Sequence, residues 1–525
     1  MYPTMGETMT HTCESMTVAD VIELLGGLGL LVGTPPAALG TDGGAVVTGC
    51  SFDSRDVRPG HLFFAKGAHF EDRYLELAVE AGAVCCVAEK ELAGHLAQLG
   101  SVANLPVIAV GDVRMAMAAL PPVVLGHPDR DLTVVGITGT KGKSTTAYML
   151  KSILDGADRT PGILGSIMTD DGAERYESHN TTPEAPELWR HLDNCRRAGR
   201  DAMVMEVSSQ GLKYDRVRGL NFDVACFLNI GRDHISAVEH PTFEDYFESK
   251  LKIFSQCDAA VVNLGTDEAD RVLAATGAAK RLITLGVDRE DATVCATDVV
   301  SADGRITFTL TLAADLAENG EPQRMPVALG ISGLFNVENA LAAIACARLM
   351  GVSLDDILAG LATLRVPGRM EVVRSEDDKV VCIVDYAHNK LSFEALFASV
   401  EREYAGRRVI AVFGAAGGKA KERRRDLPQA AGPHCDLMIF TEEDPAHEPV
   451  EEICAQMAQN VPEGCVYEIV CDREQAVAHA FKLAREMAPS VLLLLAKGDE
   501  TRQHRGDDYP EVESDLSMAR RLING

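Results

Sequence analysis

Basic charge is scarce in this 525-residue chain: 50 Lys and Arg stand against 78 Asp and Glu, a formal net charge of −28 at pH 7. With a pI of about 4.9, this argues against nucleic acid as an obligatory partner, because a phosphate backbone calls for a basic surface. An anionic small substrate is still allowed, since a local basic pocket coexists with an acidic exterior, and acidity suits a site that attracts a basic substrate. Long apolar runs are missing as well. The longest, such as Val491–Ala496, fall far short of a membrane span, so no membrane partner is expected. Met1 to Met16 is polar, without the basic start and apolar core of a signal peptide. The 14 cysteines form no C-x-x-C pair and no zinc-like spacing. Cys85 and Cys86 are adjacent, and Cys226, Cys346 and Cys382 sit in apolar runs, where a reduced thiol behaves as a small hydrophobe. A cytoplasmic protein is the expectation, and a monomer.

What is present is an ordinary globular balance, 46% hydrophobic and 24% charged, over a length that suggests about three or four domains. Three blocks emerge. The first, residues 1–125, has strand-like runs at Ala45–Ser51, Leu62–Ala65 and Ala83–Ala88 and a helical Tyr74–Ala81. The second, 126–365, alternates apolar strand-like runs (Ala202–Val207, Val224–Ile230, Ala259–Asn263) with helix-like segments and ends on Val337–Leu349 and Leu354–Leu364. The third, 366–525, repeats the alternation with strands at Val380–Val384, Val409–Phe413, Leu437–Phe440, Val466–Val470 and Val491–Ala496. Such alternation predicts an α/β protein with parallel sheets.

The chemistry begins at Gly-Ile-Thr-Gly-Thr-Lys-Gly-Lys-Ser-Thr-Thr, residues 136–146, directly after Leu132–Val135. A buried strand, a glycine-rich turn and a helix opening on Lys-Ser form a phosphate-binding loop. Gly139 and Gly142 allow backbone N–H groups, those of Thr140 and Lys141 among them, to close around phosphate oxygens. Lys143 can reach the terminal phosphates, the hydroxyl of Ser144 can ligate Mg²⁺, and the helix start at Ser144 and Thr145 favours an anion. The spacing misses the strict G-x-x-x-x-G-K-[ST] pattern: counted to Gly142, Gly139 starts too late and Gly136 too early. A nucleoside triphosphate is implied, but not its use.

Three more segments belong near the loop, because ligands of α/β sheets gather beyond the carboxyl ends of strands. Glu206-Val207-Ser208-Ser209 offers a carboxylate, Arg232-Asp233-His234 an imidazole, and Tyr246–Lys252 a helix with two lysines. Taken in order with His-Asn-Thr-Thr-Pro (179–183), Ser249-Lys250, Asn336 to Asn339, Pro-Gly-Arg-Met-Glu (367–371), Asp-Tyr-Ala-His (385–388) and Asp53-Ser54-Arg55, the sequence resembles the Mur ligases over nearly its whole length. Among them it is similar to the MurE type, which extends the peptide of the peptidoglycan precursor.

The resemblance implies three domains: an N-terminal α/β uridine-binding domain, a central P-loop ATPase domain and a C-terminal Rossmann-like domain that holds the amino acid. It implies that ATP and two Mg²⁺ are used, with Ser144, Glu206 and His234 around the metal. Lys250 matches a lysine that the family carbamylates, which converts an ammonium into an anionic oxygen donor for the second Mg²⁺. By the same resemblance Asn336 is expected at the adenine, Arg369 near the phosphates and Asp385 at the ribose. Ser54 and Arg55 match the uridine segment, and Asn180, Thr181, Thr182, Ser208 and Arg216 the muramoyl-peptide site. Gln210 and Tyr214 depart from the residues usual there.

The amino acid to be added is read from Glu442–Glu448. Relatives that use meso-diaminopimelate carry Asp-Asn-Pro-Arg, whose arginine takes the distal carboxylate. Here Glu443, Asp444 and Pro445 lead to Ala446, and Glu500 adds another carboxylate. An acid-lined pocket favours an ammonium, so L-lysine is expected, with L-ornithine close behind. Ala420 stands where an arginine is common, leaving Lys419 for the α-carboxylate. The reaction implied is ATP-dependent amide formation through an acyl phosphate on a UDP-muramoyl dipeptide. A meso-diaminopimelate-adding ligase and a folylpolyglutamate synthase-like ligase are the alternatives.

Overall fold

The computed structural model describes residues 16–34, 44–67, 69–178, 180–232, 235, 239–302 and 305–524. Three sheets organise them. The first is all parallel, in the order β1 (Gly49–Ser51), β2 (His61–Ala65), β3 (Cys85–Glu89), β4 (Val107–Val110). Because successive side chains point to opposite faces, Leu62 and Phe64 meet the helices Val18–Gly27 and Val113–Val124, while Phe63 and Ala65 meet Asp72–Glu80 and Lys90–Leu96. Both faces are covered, which is why these strands read as unbroken apolar runs.

The second sheet has 11 strands. At its centre β5 (Thr133–Thr138) lies between β9 (Ala202–Glu206) and β10 (Phe222–Phe227). Outward from β9 come β6 (Gly162–Leu164), β7 (Met168–Asp170) and β8 (Arg175–Glu177); outward from β10 come β11 (Cys257–Asn263), β12 (Arg281–Val287), β13 (Val294–Ala302), β14 (Arg305–Leu312) and β15 (Gln323–Leu329). The strands from β5 to β13 on that side are parallel, whereas β13–β14–β15 and β6–β7–β8 are antiparallel. Arg305–Leu312 alternates exposed and buried residues, as expected of a strand with one wet face. Its Thr-rich pattern does not stand out as an apolar run. The helices Lys143–Gly156, Asn336–Leu349 and Leu354–Ala362 cover one face of the sheet, and Ala185–Arg197 and Phe243–Leu251 the other.

The third sheet runs β16 (Glu371–Arg374), β17 (Val380–Asp385), β21 (Ser490–Leu495), β18 (Arg408–Phe413), β19 (Leu437–Phe440), β20 (Tyr467–Ile469), parallel except for β16. The core of the second domain continues into it through Val366, Met370, Ile383 and Phe393. Among the described residues no helix is long and apolar enough to cross a membrane.

Candidate active site

The site is built where strands β9, β5 and β10 end together. Register pairs Ile137 with Glu206 and Thr138 with Phe227, so the loops after all three strands leave the sheet at one edge. The loop after β5 is held by the loop after β10. Thr140 N donates to Asn229 O (2.9 Å), Lys141 N donates to Asn229 Oδ1 (2.8 Å), and Asn229 Nδ2 returns a bond to Lys141 O (3.1 Å). The Thr140 hydroxyl lies 3.0 Å from Tyr246 OH and accepts from Gly231 N at 3.0 Å. Gly142 adopts φ 87°, and a Cβ there would fall 2.2 Å from Asn339 Oδ1, so the turn requires glycine twice over. The helix Lys143–Gly156 then begins, with Ser144 and Thr145 buried in its first turn.

Two ammonium groups converge on this loop. Lys143 Nζ donates to Gly139 O at 2.9 Å, and Lys250 Nζ donates to the same oxygen at 2.9 Å. Lys250 is only 1% exposed and its Nζ lies 4.8 Å over the ring of Tyr246. The helix Phe243–Leu251 that carries it is capped by the Thr242 side chain at Asp245 N. On the other side Glu206 is buried; its Oε1 accepts from Ser166 N at 2.8 Å, and the Ser166 hydroxyl lies 3.3 Å from Oε2. Ser166 also touches the Thr181 hydroxyl at 2.9 Å. The Thr182 hydroxyl donates to Glu206 O and accepts from Ser208 N, and Arg216 Nη1 donates to Thr182 O at 3.0 Å. Ser208 caps the helix Ser209–Lys213 through Gly211 N. The residues expected at the muramoyl peptide are thereby tied to the expected metal carboxylate, with Asn180 exposed beside them. His234 lies outside the described residues.

Asn336 is buried and donates to Ser332 O at 2.6 Å while accepting from Asn339 Nδ2 at 2.9 Å. Asn339 in turn faces Thr146 Oγ1 at 3.4 Å, so Asn336 reaches the loop helix through Asn339. From the third domain, Arg369 lies 4.7 Å over the Tyr386 ring. Asp385 has both oxygens engaged by backbone, Met370 N at 2.8 Å and Ala387 N at 2.7 Å; burial raises its carboxyl against the pull of Arg369. Ser54 and Arg55 form a short 3-10 turn in the first domain, where Arg55 is chelated by Asp53, Nε to Oδ1 at 2.9 Å.

The amino-acid region is more neutralised than its sequence suggests. Lys497, almost fully buried, sits between Asp444 (2.9 Å) and Glu500 (2.6 Å). Burial works against its charge, but those two carboxylates outweigh it and hold it above the ordinary lysine value. Glu443 differs: burial pushes its carboxyl up to about 7 against the opposing charge of Arg423, and its Oε2 has no partner among the described residues. Ala446 adopts φ 49° and is fixed to the segment 504–506 by bonds to His504 O and from Gly506 N. A Cβ on Gly417 would lie 1.8 Å from Pro445 O, so the loops 414–418 and 443–446 are in direct contact. Lys419 is exposed at the end of the first of them. A cavity of about 710 Å³ between the middle and third domains is lined by Tyr148, Ser166, Arg369, Tyr386, Lys497 and Glu500. Of the residues expected at the site it touches Arg369 and Glu500, and it reaches the Glu206 side only through Ser166; Lys143, Ser144, Glu206, Lys250 and Glu443 do not line it. Ser54, Arg55, Asn336 and Asp385 do not line it.

Sequence reasoning passed over Asn229, Asn339 and Arg423. Arg423 lies in a run of three arginines that reads as a solvated face, yet its charge reaches both Glu443 and the half-buried His388. Asn229 and Asn339 carry no signal by type; only loop geometry exposes them.

Residues 137–347 match the family described as Mur ligase middle domain, and residues 368–498 match the Mur ligase glutamate ligase domain. A UDP-N-acetylmuramyl-tripeptide synthetase of Bifidobacterium longum is 37% identical, over 88% of this chain and 90% of that one. A UDP-N-acetylmuramoyl-L-alanyl-D-glutamate–L-lysine ligase of Streptococcus sanguinis is 36% identical, over 90% and 92%. Among solved structures, a UDP-N-acetylmuramoyl-L-alanyl-D-glutamate–2,6-diaminopimelate ligase superposes with a TM-score of 0.64 at 24% identity, over 97% and 99% of the two chains. A Mycobacterium tuberculosis folylpolyglutamate synthase shares the fold at TM-score 0.58 and 19% identity, over 73% of this chain and 92% of that one.

Proposed function

The chain belongs to the Mur ligase family, and from that premise we propose that it is the ATP-dependent amide ligase that adds L-lysine to UDP-N-acetylmuramoyl-L-alanyl-D-glutamate in peptidoglycan precursor synthesis. L-ornithine is the nearest competitor for the added amino acid. Domain limits near residues 125 and 365 accompany this reading, as do a cytoplasmic location and a monomeric state.

The D-glutamyl carboxylate attacks the γ-phosphorus of ATP; the bond to the β–γ bridging oxygen breaks and ADP leaves. The amine of lysine, having lost a proton, attacks the acyl phosphate, and phosphate departs from the tetrahedral intermediate. Catalysis rests on positioning and on neutralising charge, as phosphoryl transfer requires. The backbone N–H groups at the start of the helix Lys143–Gly156 cradle the phosphates, whereas those of Thr140 and Lys141, expected from the sequence to do so, are taken up by Asn229; Lys143 neutralises the terminal phosphates, and Thr181, Thr182, Ser208 and Arg216 hold the acceptor. Ser144, Glu206 and His234 are the residues that would hold Mg²⁺; the hydroxyl and carboxylate are the hard oxygen donors it prefers. When bound, the metal supplies Lewis-acid neutralisation of phosphate oxygens. Lys250, buried against the carbonyl that Lys143 also bonds, is the residue proposed for carbamylation, which would turn one of two converging cations into an anionic oxygen donor.

The observation that carries the choice of lysine is Glu443 near Ala446: a buried carboxyl with an oxygen that has no partner among the described residues, and Ala446 in place of an arginine for a distal carboxylate. Phosphate release with the UDP-muramoyl dipeptide tests it against lysine, ornithine and meso-diaminopimelate. Fastest turnover of lysine supports the reading, and fastest turnover of diaminopimelate rejects it.

A further inference from the structure

A second cavity, of about 740 Å³, lies between the middle and third domains and shares Thr363, Arg365 and Arg369 with the first. The middle domain contributes Arg305 at the start of β14 and Gly330 to Ser332 just after β15. The third contributes β16 and, from the helix Asp515–Leu522, Leu516 and Arg520. All four residues of β16 line the space, although successive side chains of a strand point to opposite faces. The cavity therefore borders the outer edge of that strand, which ends its sheet and leaves N–H groups without a ladder partner. Arg305, Arg365 and Arg520 line it without an ion pair among the described residues, whereas Arg374 is bonded to Asp378 at 2.7 Å. Among the described residues of the lining, Glu371 is the one acid. Burial and the charge of Asp499 raise its carboxyl against the pull of Arg520 and Arg365, and its Oε2 is buried without a hydrogen-bond partner among the described residues. Both arginines thus act on Glu371 through space without bonding to it, and their N–H groups stay open to a ligand. Lys143, Ser144, Asn336, Asn339 and Asp385 do not line this cavity, so it stands apart from the phosphate loop.

We propose that this second cavity is an anion site outside the reaction centre, taking a small phosphate-bearing molecule of two or more negative charges. In a chain of net charge −28, three unpaired guanidiniums around one void are a local excess of positive charge, and one carboxylate offsets only part of it. Guanidinium forks match phosphate oxygens, with two N–H groups offered to each pair of oxygens. The volume lies in the range of pockets that hold small ligands. The walls come from both domains and from the segment between them, which carries Arg369. An occupant bound to Arg305 and Arg520 together would therefore tie the third domain to the middle one and act as an effector rather than a reactant.

The test is equilibrium dialysis of labelled inorganic pyrophosphate against the full-length protein. The protein is first saturated with Mg²⁺, β,γ-methylene-ATP and UDP-N-acetylmuramoyl-L-alanyl-D-glutamate, so that the phosphate loop and the substrate site are filled. The parent is expected to bind pyrophosphate under these conditions. Arg305→Gln combined with Arg520→Gln should weaken it about 10-fold or more and leave the affinity for β,γ-methylene-ATP within about twofold. Glu371→Gln should bind pyrophosphate more tightly than the parent, because it removes the opposing charge. The control is Arg425→Gln, an exposed arginine that does not line the cavity; it should change nothing. Weakening by Arg425→Gln equal to that of the double variant would mean unspecific attraction to surface charge and would overturn the proposal. So would unaltered binding in the double variant, or no binding to the saturated parent. Should the double variant not fold, Glu371→Gln decides alone, and binding equal to the parent or weaker rejects the site. No turnover is needed, so a chain that proves not to ligate lysine leaves this test intact.

Discussion

On the proposed reading, a single carboxyl decides which amine this site accepts. Lys497 already satisfies Asp444 and Glu500, and Arg505 pairs with Glu442, so the proposed reading assigns Glu443 to the incoming ammonium. Its folded pKa is raised to about 7 by burial; the charged form dominates above that pH and disappears below it. KM for lysine is therefore expected to rise as pH falls through about 7 and to level off above it. Glu443→Gln should abolish this dependence and raise KM about 10-fold, the scale of one charge-assisted hydrogen bond. A steady-state profile of KM across that range checks both, and a flat profile in the parent would remove Glu443 from the role. Lys250 carries the second residue-level expectation. Lys250→Ala should lower kcat by about 100-fold or more, as expected when charge neutralisation at a phosphoryl group is lost, and a short carboxylic acid should restore part of it. Full activity in Lys250→Ala would end the carbamate assignment.

At the scale of elements, a hairpin and a helix are joined by a buried ion pair. The Asp171 carboxylate, at the end of β7, accepts from His191 Nδ1 at 2.6 Å and Asn194 Nδ2 at 2.8 Å, both on the helix Ala185–Arg197. Burial disfavours both charges, yet the hydrogen bonds win: His191, Asn194 and the backbone of Glu174 and Ala173 lower Asp171 to about 2, and Asp171 together with Glu187 raises His191 above 6.5. The aspartate's share of stability is present above its ordinary value of 3.8 and is lost as pH falls through about 2. The histidine's share is complete below 6.5 and is lost as pH rises through its raised folded value. His191→Gln is thus expected to destabilise the protein most between about pH 4 and 6.5 and least in the alkaline range. Denaturant titrations at several pH values measure it, and a deficit independent of pH would contradict the ion pair. These elements also mark how far the sequence could be read. Strands β5, β9 and β10 stand out because both their faces are buried. Strands β14 and β15 do not, since Arg305 and Thr307 in the one and Arg324 and Pro326 in the other are exposed and dilute the apolar signal. The loop glycines and Glu206 are legible from chemistry. By contrast, the pairing of Lys497 with Asp444, one of the acids expected to recognise substrate, depends on a turn 53 residues away in sequence, which no local pattern reveals.

For the whole molecule, the distribution of cores predicts how it unfolds. The first domain has two apolar clusters of its own, one on each face of its sheet, and they share no residue with those behind the other two sheets. The middle and third domains share a cluster that runs from Leu150 and Leu341 through Val366 and Met370 to Ile383 and Phe393. Backbone-to-side-chain bonds add to the link: Gly333 N donates to Glu403 Oε1 at 3.1 Å and Leu334 N donates to Ser399 Oγ at 3.3 Å. Cooperative units follow shared packing, so calorimetry should resolve two transitions, one for the first domain and one for the other two together. Leu62→Ala, at a fully buried position, should cost about 2–5 kcal/mol and lower only the first-domain transition. Phe393→Ala, buried between β17, β18 and the third-domain helices, should cost about 3–5 kcal/mol and lower only the joint one. If Leu62→Ala shifted both transitions together, the contacts between the first and middle domains, Lys66 to Glu184 at 2.9 Å and Arg114 over the Tyr214 ring at 4.7 Å, would be strong enough to make the molecule one unit even without substrate. If Phe393→Ala instead split the joint transition, the shared cluster would be only a contact between two independent cores.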